Sequence, residues 1–149
     1  MKLPYERATS GKAALSDIEK TLRAFGCTSF GSMMNFAEGV LLVQFEHRGR
    51  QVSVKASISG YAAAWLRANP WHDRRTGSRV DYERKAKEIG SKAVYSALRD
   101  WIKGQLTAIE CGILSFEGAF LGQILMPNGR TVLEHAQTER LLPAPSPPT

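Results

Sequence analysis

Cysteine is scarce in this chain: Cys27 and Cys111 are the only two, far apart and outside any paired pattern. That excludes a multiply disulfide-stapled scaffold and a cysteine-rich metal knot, and it fits a reducing compartment in which both thiols serve as small apolar core residues, with a single disulfide as the lesser reading. Long apolar runs are missing as well. Nothing approaches the roughly eighteen residues that a membrane-crossing helix needs, so no membrane partner is expected. The opening residues MKLPYERATSGK lack the apolar centre of a secretion signal. The expected location is therefore the cytoplasm.

The chemistry-bearing residue types are equally thin. His47, His72 and His135 are scattered, and none pairs with Cys or His at metal-ligand spacing, so neither a metal nor a cofactor is predicted. The dipeptide His72-Asp73 has no second His/Asp set and reads as a solvated loop pair, while His47 reads as a turn residue at a hairpin end. The segments GRTVLE and GSK are too short for a phosphate-cradling loop. No serine sits in a nucleophile elbow. No catalytic residue can be named, and the reading leans away from an enzyme.

What is present is enough apolar sequence, 43% of 149 residues, to build one domain. The spacing predicts an α+β fold over residues 1–142, followed by a disordered Pro-rich tail over 143–149. A helix from Gly11 to Phe25, capped by Thr9 or Ser10, carries Ala14, Leu15, Ile18, Leu22 and Phe25 on one stripe. Ser16 with Glu19 offers an alternative start one turn later. Gly26 stops the helix. Three strands follow as an antiparallel meander. In the first, Phe30, Ser32, Met34 and Phe36 share a face, with Met33 and Met34 read as packing residues. The second, VLLVQFEH, is apolar on both faces and so central. The third alternates Val52, Val54, Ala56 and Ile58 inward with Ser53, Lys55 and Ser57 outward. KLPYERA is a possible fourth strand at the N-terminus.

GYAAAWLRANP reads as a short helical turn within a stretch, 60–80, taken as an insertion or loop. A long amphipathic helix then runs from the Ser78/Asp81 capping pair to Cys111, with Trp101 in its core stripe and the whole helix packed on one face of the sheet. At 1.5 Å per residue its roughly 33 residues span about 50 Å. So it either breaks at Gly90 or projects its first turns as an arm. Ser115 begins a second short helix, PNG at 127–129 is a turn, and RTVLEHA is a last strand or extension.

One segment stands out. WHDRRTGSRVDYERKAK (71–87) sits in a region, 67–92, that holds eight basic and four acidic residues, or +4 of the chain's net +6. Arg67, Arg74, Arg75, Arg79, Arg84, Lys85 and Lys87 could neutralise the phosphates of DNA or RNA, while Trp65, Trp71 and Tyr82 could stack on bases if exposed. Arg50 and Lys55 could extend that surface. The same residues would equally serve as the solvated flank of a helix, with Trp71 folded back on the core. The apolar run from Leu106 to His135 could alternatively support self-association, leaving an oligomer possible.

Two known folds share the order helix, three strands, helix. The PD-(D/E)xK nucleases place an acid two residues before a strand lysine; here Ser53 precedes Lys55 and only Glu46 lies near, so a divergent nuclease is the third-ranked reading. Double-stranded RNA-binding domains open their second helix with basic residues. SRVDYERKAKEIGSKAVYSAL is similar in flavour, but Asp81 and Glu83 dilute its charge.

The block WIKGQLTAIECGILSFEGAFLGQILMPNGRTVLEH more closely resembles small proteins of bacteriophages and prophages. The shared features are Glu110, Gly112, Ser115-Phe116-Glu117, Phe120-Leu121, Gly129, Thr131-Val132 and Glu134. LPYERA…IEKTL…FG and the set Val43, Phe45, Gly49 and Arg50 extend the likeness, with 60–80 outside it. No activity attaches to that family. The resemblance implies a mobile-element product in the cytoplasm of a bacterial host. Two functions remain open: nucleic-acid binding through 67–92, or inhibition of a host protein in the manner of an anti-defence factor.

Overall fold

The computed structural model describes residues 2–74 and 77–148. Helix α1, Gly11–Phe25, starts where the Ser10 side chain accepts from the Ala13 amide, and ends at Gly26, whose φ of 105° only glycine adopts cheaply. The later Ser16 start is not used. Strands β1 (Ser29–Asn35), β2 (Val40–His47) and β3 (Arg50–Ser57) form an antiparallel meander with β2 in the middle. Leu41, Val43 and Phe45 on β2 face Val52 and Val54 on β3 across one face, all buried. That face meets Ile18 and Leu22 of α1 to make the main core.

The period-2 pattern of β3 runs one residue too far in the sequence reading. Ser57 caps a helix by accepting from the Gly60 amide, so Ile58 is the first residue of α2 (Ile58–Ala68) and not a strand residue. The stretch 60–80 thus contains most of an eleven-residue helix where a short turn in a loop was expected.

Helix α3, Arg79–Glu110, has 32 residues and is unbroken, a length of about 48 Å. It neither breaks at Gly90 nor projects an arm. Val94, Leu98, Ile102 and Leu106 lie in the main core with the sheet, α1 and Phe120. Tyr82 and Ala86 form a second core with Ala62 and Trp65 of α2, joined by Leu3, Trp71 and Ile89. Antiparallel α2 is what covers the overshoot. Gly90, read as a break, is the crossing point: a Cβ there would stand 3.0 Å from the Ile58 carbonyl oxygen and 3.3 Å from the Ala62 nitrogen. Only a side chain of one hydrogen lets the two backbones come so close.

After α3, helix α4 (Phe116–Phe120) is capped by Ser115 and passes into a short 3-10 turn, Leu121–Gln123. Phe120 is fully buried and meets Phe45 and Trp101 edge-on. The last element corrects the reading of RTVLEHA as a strand. Thr131 accepts from the Glu134 amide while Glu134 accepts from the Thr131 amide, a complete capping box that opens helix α5 (Val132–Thr138). Among the described residues no fourth strand forms at the N-terminus either, where residues 4–7 are turns. The sheet's extra pairing comes from the other end of the chain, through a bridge from Ile124 to Val52.

Three side chains lie outside the core in which they were placed. Phe36 falls past the end of β1 and is 90% exposed, Met33 points away from the helices and is 63% exposed, and Cys111 is exposed beside the cap of α3. Cys27 is half-buried against the main core. No described helix is long and apolar enough to cross a membrane.

Candidate nucleic-acid interface

The basic segment is the closed end of the α2–α3 hairpin. Asn69 ends α2, and Ser78 begins α3 by accepting from the Asp81 amide at 3.1 Å. The reciprocal half of a capping box is not made. Asp81 instead accepts from Arg84 at 3.0 Å. Arg67 sits in the last turn of α2, where its charge suits the helix C-terminus. Arg67, Arg74, Lys85 and Lys87 are exposed and have no carboxylate within salt-bridge distance among the described residues. Arg75 lies outside the described residues.

Charge at this end is partly self-neutralised. Arg79 pairs with Glu83 at 3.5 Å and Arg84 with Asp81, both within one turn of α3. Exposed pairs like these are worth only about 0–1 kcal/mol, so a phosphate can compete for either arginine.

The aromatics behave differently from the cations. Tyr82 is 7% exposed and donates to the Asn69 carbonyl oxygen at 2.6 Å, tying the start of α3 to the end of α2. It is a core residue and no stacking platform. Trp65 is buried too, with the Lys85 ammonium 6.0 Å above its ring. Trp71 is half-buried and lies under the Arg79 guanidinium at 5.8 Å; its indole Nε1 is buried and finds no acceptor among the described residues. The cations thus lid the second core, and what the hairpin offers a partner is charge.

Arg50 and Lys55 do not join this surface as free cations. Arg50 is ion-paired with Glu117, and Lys55 meets Glu134 at 3.3 Å. Hydrogen bonds from Thr131, its backbone first, and then the Lys55 ammonium hold the Glu134 carboxyl below its ordinary range. Ser53, two residues before Lys55, is buried and accepts from Gln44. The carboxylate beside Lys55 therefore comes from α5, already saturated. Among the described residues no cluster of three His, Cys, Asp or Glu side chains could hold a metal ion.

His47 also differs from its reading as a turn residue. Its ring lies between Phe25, 4.7 Å away, and Phe116, 5.3 Å away, with Nδ1 buried and unpartnered among the described residues. It fills space like an aromatic, beside an open cleft flanked by Arg48 and Glu117. A second basic feature was illegible in the sequence. The N-terminal turn, held by Tyr5 donating to Asp100 at 2.6 Å and Tyr61 donating to the Pro4 carbonyl oxygen, brings Lys2 and Arg7 to a cleft shared with Arg99. Only long-range contacts place them there.

In comparisons with protein-family models, curated proteins and solved structures, nothing matches the chain.

Proposed function

We propose that this is a non-catalytic nucleic-acid-binding protein that grips phosphates with the closed end of its α2–α3 hairpin. The observation that carries the reading is the set of exposed cations there, Arg67, Arg74, Lys85 and Lys87, with no acidic partner among the described residues. Arg79 and Arg84 stand beside them in exchangeable surface pairs. With Trp65 and Tyr82 buried, binding is electrostatic and sequence-tolerant, without base stacking on those rings. The proposal places the protein in the cytoplasm of a bacterium carrying a phage or prophage.

The test is fluorescence anisotropy with labelled single- and double-stranded DNA and RNA at rising salt. Each phosphate neutralised on duplex DNA contributes about −0.9 to the log–log salt slope. The variant Arg67→Ala/Arg74→Ala/Lys87→Ala removes three exposed cations that make no ion pair among the described residues, so its slope should be shallower by about 2.7. Flat traces at low salt, or an unchanged slope in the variant, would sink the proposal.

A further inference from the structure

We propose that two copies of this chain associate through β1, edge to edge, to form a continuous six-stranded antiparallel sheet. This rests on features away from the basic hairpin and is independent of the nucleic-acid reading.

β1 is a sheet edge, paired with β2 on one side only. Among the described residues no backbone hydrogen bond reaches it from the other side. Folded proteins guard such an edge with lysine, proline, a bulge or a covering segment. Here the register with β2 is continuous from Ser29 to Asn35, and residues 27–37 contain no charged residue and no proline. In a chain carrying +6, surfaces that bring two copies together must avoid setting cation against cation. The β1 edge meets that condition, so a second copy can pair with it without setting like charges together.

The side chains fit a two-fold axis through Ser32. In that register Phe30 faces Met34 of the second copy, Ser32 faces Ser32, and Gly31 faces Met33. Phe30 and Met34 are half-buried residues on the helix side of the sheet, already packed against the main core at its open flank. Each pair would set sulfur against a ring and join the two cores. On the other face the exposed Met33 has a glycine opposite, and a Cβ at Gly31 would meet nothing within 4 Å. Large meets small across the axis. A contact made chiefly by one strand lies at the small end of specific interfaces, so association should be weak and follow concentration.

Sedimentation of the full chain tests this. The expected weight-average mass rises from 16.4 kDa towards twice that as concentration rises through the micromolar range. Ser32 is exposed, so Ser32→Lys and Ser32→Glu should each fold while placing like charges opposite one another across the axis, and each should stay at monomer mass. An equimolar mixture of the two sets lysine against glutamate and should recover the dimer. A wild-type chain that remains monomeric throughout, or a Ser32→Lys chain that dimerises as the wild type does, would overturn the proposal.

Discussion

Replacing glycine by alanine at two places on α3 separates intrinsic helix preference from packing. At Gly104 a Cβ would meet nothing within 4 Å, so Gly104→Ala should gain the full preference of alanine in a helix interior, about 0.8–1 kcal/mol. The same gain is available at Gly90, but there the methyl group drives into the backbone of α2, 3.0 Å from the Ile58 oxygen. Backbone in a packed helix yields only if the helix moves, and overpacking of this kind costs about 1–3 kcal/mol. Gly90→Ala should therefore come out destabilised by about 1 kcal/mol, with the pair differing by about 2 kcal/mol. In a domain of this size each kcal/mol moves Tm by about 2–4 °C. Thermal melts followed by circular dichroism should show Gly104→Ala rising and Gly90→Ala falling. If both rise equally, α2 does not cross α3 at Gly90, and the second core is not assembled as described.

Two further outcomes follow from titratable groups. Burial pushes the Cys27 thiol up to about 11, whereas Cys111 is exposed; near pH 8 a thiol reagent should label Cys111 quickly and the half-buried Cys27 much more slowly, and two equally fast thiols would contradict this placement. Glu134 has a folded-state value depressed below the ordinary 4.5, so its contribution is present at neutral pH and lost as pH falls through that value and then the depressed one. Melts from neutral to acid should show the wild type losing its advantage over Glu134→Gln, and a constant gap would refute the assignment.

Local signals carried most of the architecture. Ser10 and Gly26 bracket α1 in the sequence as they do in space, and the unbroken apolar run of VLLVQFEH marks the central strand correctly. Failures came where two periods met or where a distant element decided. Val52, Val54, Ala56 and Ile58 alternate without a break, yet Ser57 can cap a helix, and the cap wins because α3 is there to receive α2. The reading of RTVLEHA as a strand or extension leaves out the Thr131-x-x-Glu134 pair, a capping box legible in the sequence. At the hairpin the positions of the cations were readable. The burial of Tyr82 and Trp65 was not, since it depends on α2 lying antiparallel to α3, and only their neighbours decide whether those rings meet solvent.

That α3 belongs to two cores has a consequence for how the molecule breathes. Among the described residues its last two-thirds belongs to a cluster of fourteen buried residues, its first third to one of four. Opening the smaller set exposes little apolar surface, so amides near the start of α3 should exchange with solvent through local fluctuations while those beyond Val94 wait for global unfolding. The cationic end of α3 is thus also the softer of its two ends. Any polyanion that holds α2 and α3 together adds order to the part of α3 that has the smaller core.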